Sequence, residues 1–218
     1  WMHDMLDYIS MDPYFRSFHH DKLTFSMFYA FSENFILPLS HDEVVHGKHS
    51  LIERIPGGID DQFATMRVFF AYMFVHPGKK LMFMGAEFGQ FIEWRFYEPL
   101  EWKLLVYERH PDLQAFVKAL NHFYRAHPSL YQVENSWDGF TWLNVADERQ
   151  SVISLMRSSD EGEEKLICLF NFTPVAYEDY RIGVPMEGHF KELLSTDDPA
   201  YGGSGQWKNP KAMRSQDI

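Results

Sequence analysis

The segment that most constrains this chain is residues 35–48, where a short apolar run gives way abruptly to ionisable residues. Phe-Ile-Leu at 35–37 leads through Pro-Leu-Ser into His-Asp-Glu-Val-Val-His-Gly-Lys at 41–48. A short apolar run that ends in polar residues predicts a buried strand that delivers side chains to a pocket. We therefore predict a strand over residues 35–39, with the ionisable residues at its C-terminal end.

The same pattern returns further along the chain. Residues 80–84 are a second short apolar run, followed by Gly-Ala-Glu-Phe-Gly-Gln at 85–90. A helix is predicted over about 60–76, ended by a Pro-Gly pair, and another from Pro111. The order strand, loop, helix, strand, loop, helix indicates parallel β/α units. In a (β/α) barrel the active site is built at the C-terminal ends of the strands, where both polar segments lie.

The residues before the first strand carry weaker signals. Residues 1–11 are predicted to be a polar and aromatic loop with at most one helical turn. The pair Asp12-Pro13 is a good helix start, with Asp as N-cap and Pro at the first helical position. A second helical piece is predicted over residues 23–31, with Phe25 and Phe28 facing a core.

The pattern changes after Pro128, where helical periodicity is lost. Short alternating or apolar runs separated by turn residues predict five strands, at 140–145, 151–156, 165–172, 177–184 and 190–194. We predict an α/β plus all-β chain. Its domains are a β/α part over residues 1–127 and an antiparallel β-sandwich, expected to be truncated, over 128–218.

Composition narrows the classes of function. The chain has 218 residues and a net charge of −11, which disfavours a nucleic-acid partner because phosphate binding needs clustered Lys and Arg. No apolar run approaches the roughly 18 residues that span a bilayer. Cys168 is the only cysteine, which precludes an internal disulfide and permits a reducing compartment, so we expect a cytoplasmic protein. Because the chain opens on Trp1, we also expect a fragment of a longer protein.

Three kinds of site fit the first polar segment. A metal site is disfavoured, because His41 and His46 are five residues apart at a strand end, whereas the helical zinc motif places two His four apart. A structural cluster is the second, since buried His and Asp can bond each other and the backbone. The third is glycosyl transfer, which uses paired carboxylates against positive charge at a sugar carbon. Residue types alone leave the last two open.

Ser-His-Asp-Glu-Val-Val-His-Gly-Lys at residues 40–48 resembles the fourth sequence region of the α-amylase superfamily, in the form typical of glycogen (1,4-α-glucan) branching enzymes. The resemblance extends over Trp-Met-His-Asp at 1–4, the segment 23–35, His-Pro-Gly-Lys-Lys-Leu at 76–81, and Glu-Phe-Gly-Gln at 87–90. It implies that the two strands are the last two of a TIM-type (β/α)8 barrel.

The resemblance also implies residue roles. Asp42 corresponds to the carboxylate that favours the oxocarbenium-like transition state, and His41 to the histidine that contacts a hydroxyl of the donor sugar. His46, Glu87, Gln90 and Trp94 are candidate substrate-binding residues. Neither a metal nor a cofactor is implied. The implied partners are an α-glucan and the N-terminal remainder of the same enzyme, with no nucleic acid and no membrane.

The family's nucleophile Asp and acid/base Glu have no counterpart in residues 1–218. We therefore expect this chain alone to lack branching activity. One rival is a hydrolase of the same superfamily, trehalose-releasing or debranching. Another is a non-enzymatic glucan-binding module that uses exposed aromatic rings, although core packing is the more ordinary account of them. The candidate rings are Trp137, Trp142 and Trp207.

Overall fold

The architecture is described from a computed structural model that covers residues 1–209 and 212–215. Its helices and strands alternate at first and end in a run of strands. In chain order they are α1 Met2–Ser10, α2 Asp21–Thr24, β1 Ile36–Leu39, α3 Ile59–Val75, β2 Lys79–Met82, α4 His110–Ala126, β3 Phe140–Asp147, β4 Val152–Ser158, β5 Lys165–Asn171, β6 His189–Phe190 and β7 Met213–Arg214.

β1 and β2 form a two-stranded parallel sheet, which confirms the predicted β/α order. The register runs from Ile36 opposite Lys79 to Leu39 opposite Met82. α3 makes the crossover and ends at the predicted Pro-Gly pair. Gly78 has a φ of +106°, and a Cβ there would lie 3.0 Å from the carbonyl oxygen of Phe35. Glycine therefore lets the chain turn into β2 directly beside the start of β1.

The N-terminal predictions were partly wrong. Residues 1–11 are not a loop, because α1 spans nine residues and buries Met5, Leu6 and Ile9. Those apolar positions have helical spacing, and tertiary burial outweighs the polar residues between them. The predicted helix over 23–31 breaks into α2 and a 3₁₀ turn, which leaves Phe28 87% exposed and Phe25 half exposed rather than in the core.

The C-terminal part contains one substantial sheet, with strand order β3-β4-β5 and antiparallel pairing throughout. Every residue of the central strand β4 is buried. The prediction of an antiparallel β domain is confirmed at that level, but among the described residues three strands form this sheet and only the short pair β6-β7 forms another, while helices pack against the three-stranded sheet. Tyr72 of α3 packs edge-on against Phe170 at 5.2 Å, and Tyr8 of α1 against Phe172 at 5.4 Å.

Two of the five predicted strands differ in the structure. Residues 177–184 form no ladder, because a turn at Glu178 and Asp179, with Asp179 at φ 53°, interrupts the segment. Side chains hold it instead, since the Tyr180 hydroxyl donates to Asp147 at 2.6 Å. The strand predicted over 190–194 shrinks to the two residues of β6, which pair with β7.

Two buried arginines tie the β/α part to the β sheet across the predicted domain boundary. Arg157 of β4 donates from Nη1 to the Val75 carbonyl at the end of α3, 2.6 Å away, and from Nε to Gly139 at 2.8 Å. Arg16 donates to the Phe172 carbonyl at 2.7 Å. Both guanidinium groups are almost fully buried, and burial lowers the pKa of each. One hydrophobic core runs through both parts.

Candidate functional site

His41 and Asp42 directly follow β1 in a 3₁₀ turn, where Ser40 keeps an extended backbone and passes the chain out of the sheet. His41 Nε2 lies 3.1 Å from Asp42 Oδ1, and the Ser40 hydroxyl donates to Asp42 Oδ2 at 3.5 Å. The Asp42 side chain is 71% exposed. A carboxylate oriented at a strand end but open to solvent can meet a ligand that carries positive charge.

An aromatic wall stands beside this pair. The ring of Trp94 lies 6.0 Å from the His41 ring at 80°, and Phe83, the residue after β2, lies 5.9 Å from it. Phe83 and Trp94 meet edge-to-face at 5.1 Å. The carboxyl ends of both parallel strands therefore meet here, as the sequence predicts. Phe83 was not among the predicted residues, although its place directly after β2 matches that of the polar segment after β1.

Glu43 is a second residue that the sequence reasoning missed. Its carboxylate is nearly buried and lies 3.1 Å from Lys48 Nζ, 3.5 Å from Arg54 Nη2 and 3.5 Å from His3 Nε2. Burial raises the pKa of Glu43, but the hydrogen bond and charge of Lys48 and the charge of Arg54 outweigh it, so the pKa lies below its ordinary value. Glu43 therefore remains ionised and anchors the turn that carries Asp42.

Two loops build the site: a site loop, residues 40–49, and a support loop, residues 83–101. His46 is fully exposed on the site loop, with Nδ1 3.6 Å from Glu93 of the support loop. The backbone nitrogen of Trp94 donates to the Val44 carbonyl at 2.7 Å, which joins the two loops directly.

Glu87 and Gln90 have structural partners. Glu87 accepts a hydrogen bond from the Gly85 backbone nitrogen at 2.7 Å. Gln90 is buried; its Nε2 donates to the Ile92 carbonyl at 3.1 Å, and its Oε1 accepts from the Glu101 backbone at 3.0 Å. The polar atoms of Gln90 are thus engaged with the loop itself, while Trp94 is the predicted support-loop residue that faces His41.

The enclosed space beneath the site loop is small. A cavity of about 30 Å³ lies between the two loops, lined in part by Leu39, Ser40, Val44, Gln90 and Trp94. A volume of that order holds one or two water molecules. A ligand larger than a few water molecules does not fit inside it, and the exposed polar surface of the site is the one that Asp42 and His41 form beside Trp94.

Three further features considered from the sequence are a metal site, a membrane-spanning segment and exposed tryptophan rings. Within residues 1–209 and 212–215, no group of three or more His, Cys, Asp or Glu side chains is arranged to hold a metal ion. Across the same residues, no helix has the length and apolar character needed to cross a membrane.

Trp137 and Trp207 are about half exposed, and Trp137 packs edge-on against Phe31 at 5.0 Å. Trp142 is partly buried against Phe140 at 4.7 Å.

Comparison with known proteins first gives the class. Residues 142–217 match a family model described as the α-amylase C-terminal all-beta domain. The sheet β3-β4-β5 falls within or directly beside that range. The C-terminal part of the chain is therefore similar to an α-amylase-type β domain, and the polar loop after β1 precedes it.

Individual relatives give a more specific resemblance than the family model does. The chain is 52% identical over 213 residues to the 1,4-alpha-glucan branching enzyme GlgB of Synechococcus elongatus, covering 95% of this chain and 28% of the relative. It is 52% identical over 205 residues to GlgB of Aquifex aeolicus, covering 94% and 32%. For Halothermothrix orenii GlgB the values are 50% over 206 residues, covering 94% and 33%. The chain resembles the C-terminal part of glycogen branching enzyme, and spans about a third of these relatives or less.

Proposed function

We propose that this chain is the C-terminal part of a 1,4-α-glucan branching enzyme, which cleaves α-1,4 linkages and rejoins the released chain through α-1,6 branch points. The observation that carries the proposal is Asp42, presented at the carboxyl end of a parallel strand within a segment half identical to branching enzymes. Residues 1–127 are the last two β/α units of a (β/α)8 barrel, and residues 128–218 are the C-terminal β domain. The substrate is an α-glucan in the cytoplasm.

Asp42 stabilises the transition state in this proposal. Glycosyl transfer develops positive charge at the sugar carbon, and an oriented carboxylate lowers the energy of that charge without having to reorganise. The His41 ring lies beside one Asp42 oxygen and the Ser40 hydroxyl donates to the other, while the exposed part of the His41 ring contacts a donor-sugar hydroxyl. Trp94 offers an apolar face to the sugar ring. His46 reaches the surface of the site loop, and Glu87 and Gln90 act by holding the support loop.

The chain alone is proposed to be inactive. Glycosyl transfer needs a nucleophile and an acid/base in addition to Asp42. In the described part of the chain, the neighbouring carboxylates are engaged elsewhere: Glu43 with Lys48 and Arg54, and Glu93 with the backbone of the site loop. Incubation of the 218-residue chain with amylose should leave both the iodine absorbance and the number of reducing ends unchanged.

A chimera tests the function. Residues 1–218 replace the matched segment of the Aquifex aeolicus relative, and the chimera is incubated with amylose. Iodine absorbance, reducing ends and chain lengths after enzymatic debranching are measured. We expect branching without release of reducing ends. Asp42→Asn should lower the rate about 100-fold or more, the range found on removal of a group that stabilises transition-state charge.

Asp7→Asn is the matched control, because Asp7 is an exposed carboxylate on α1 whose ion-pair partner among the described residues is Lys22, 3.2 Å away. That chimera should keep the full rate. A folded chimera that releases reducing sugar instead of forming branches would show that the site supports hydrolysis. Full activity in the Asp42→Asn chimera would overturn the role given to Asp42.

A further inference from the structure

The carboxylate of Glu93 is bound by the backbone of a loop that lies 44 residues earlier in the chain. Its Oε1 accepts a hydrogen bond from the His49 backbone nitrogen at 2.7 Å. His46 Nδ1 lies 3.6 Å from its other oxygen. One side chain of the support loop thus contacts the site loop at both His46 and His49.

The backbone of the site loop is shaped for this contact. Gly47 has a φ of 82° and His49 a φ of 67°, both in the left-handed region. The left-handed backbone at this point of the loop turns the His49 N–H toward the carboxylate. Such a backbone is uncommon in residues other than glycine, although histidine is one of those that adopt it more often. The hydrogen bond to Glu93 stabilises this conformation at His49.

The carboxylate remains charged in this position. The hydrogen bond from the His49 backbone is the main cause that lowers the pKa of Glu93, and the charge of His46 acts in the same direction. The nearby ammonium group of Lys48 is paired with Glu43 instead, 3.1 Å away. The charge of Glu93 is therefore directed at the His49 amide.

A second tie links this contact to the catalytic pair. Trp94 follows Glu93 directly, its backbone nitrogen donates to the Val44 carbonyl, and its ring stands 6.0 Å from the ring of His41. A shift of Glu93 moves the site loop and the Trp94 ring relative to each other. His41 is the site-loop residue whose ring faces Trp94.

We infer that Glu93 is a positioning residue, which holds the site loop through the His49 backbone amide and the His46 ring and so fixes His41 and Asp42 against the Trp94 wall. The loop-holding role stands on these contacts alone. Its consequence for glucan binding rests on the proposed function.

The test uses nuclear magnetic resonance on the 218-residue chain. Glu93→Gln keeps the size of the side chain and removes its charge. Amide exchange at His49 should become at least about tenfold faster, as expected for the loss of a charge-assisted bond. The ring resonances of His41 should also move, because the ring current of Trp94 acts on them. A general loss of stability would not produce that local change.

Glu98→Gln is the matched control, since Glu98 lies on the same support loop and is paired with the exposed Arg95 at 3.2 Å. It should alter neither signal. The double variant Glu93→Gln, His49→Gly should recover part of the exchange protection, because glycine accepts the left-handed backbone without strain. Unchanged site-loop exchange and His41 resonances in Glu93→Gln would refute the inference.

Maltoheptaose separates this inference from the proposed function. Shifts at His41 and Trp94 on addition of the oligosaccharide to the unmodified chain support the glucan site, and Glu93→Gln should weaken them. If the oligosaccharide causes no shift while Glu93→Gln still loosens the site loop, the glucan site fails and the positioning role stands. If the oligosaccharide binds equally well to both proteins and the loop is unchanged, the positioning role fails alone.

Discussion

Arg157→Met should separate the β sheet from the end of α3. Arg157 is fully buried in β4 and donates three hydrogen bonds to backbone carbonyls, of Val75 at 2.6 Å, Gly139 at 2.8 Å and Val133 at 3.4 Å. Methionine fills a similar volume but donates nothing. The two parts of the chain would then meet through apolar contacts and the bond from Arg16 to Phe172, with the three carbonyl groups left buried and without their donor.

The magnitude follows from the two shorter bonds. A hydrogen bond from a charged donor contributes about 1.5–3 kcal/mol, so two contribute roughly 3–6 kcal/mol, and the bond at 3.4 Å adds little. Methionine avoids the desolvation cost of a buried guanidinium, and this recovers part of the stabilising free energy lost with the hydrogen bonds. We expect a net loss of about 3 kcal/mol. Arg157→Lys keeps the charge but reaches only one carbonyl, and should lose about half as much.

Urea unfolding followed by circular dichroism and tryptophan fluorescence measures the loss. For a chain of this size, 3 kcal/mol corresponds to a fall in melting temperature of about 6–12 °C. The sheet and α3 should also unfold at different urea concentrations in Arg157→Met. Arg149→Met, at an exposed position on the hairpin between β3 and β4, is the control and should change little. A loss below about 0.5 kcal/mol in Arg157→Met would refute the reasoning.

Two further predictions concern buried positions. Burial lowers the pKa of His76 to about 3, so between about pH 6.5 and 3 the unfolded chain binds a proton that the folded chain does not, and stability falls as the pH decreases. His76→Gln should reduce the slope of unfolding free energy against pH, and an unchanged slope would contradict this. Gly139→Ala would place a Cβ 2.0 Å from the Val133 carbonyl oxygen and should cost about 2 kcal/mol or more in urea unfolding. Gly183→Ala, which meets nothing within 4 Å, should be neutral; equal losses would refute the steric argument.

The elements that could be predicted from the sequence are those whose signals are local. β1, α3, β2 and α4 are bounded by Pro, Gly and acidic residues that act within one turn of the chain. α1 could not be predicted in the same way. Its buried positions are interspersed with His3, Asp4 and Asp7, and only the core formed by later elements shows which face is covered.

The prediction of a strand over residues 177–184 was wrong for the opposite reason: here the local pattern was present, but it was misleading. Alternation of polar and apolar residues indicates one buried face, but it does not supply a partner strand. Here the hydroxyl of Tyr180 bonds Asp147, and the backbone turns at Asp179. Side-chain contacts hold this segment in place, and its backbone forms no hydrogen-bond ladder with another strand.

The functional site shows the same difference between residues marked by local sequence signals and residues whose role depends on distant segments. Asp42 and His41 could be located because they directly follow an apolar run, and the resemblance supports them. The role of Glu93 could not be predicted, since nothing near it in the sequence indicates which loop its carboxylate meets. Gln90 was expected at the substrate, but its burial depends on the path of the whole support loop. Contacts between distant segments are what the sequence pattern does not encode.

The two-stranded sheet also affects whether copies of this chain associate with one another. Among the described residues β1 and β2 pair only with each other, so the outer edge of each strand offers backbone donors and acceptors, and Ile36 and Leu81 beside them are about half exposed. Such edges template the addition of another strand. The net charge of −11 opposes that encounter by mutual repulsion, which dissolved salt screens. The colloidal behaviour of the chain is thus set by ionic strength, with low salt favouring separate molecules and high salt favouring edge-to-edge association.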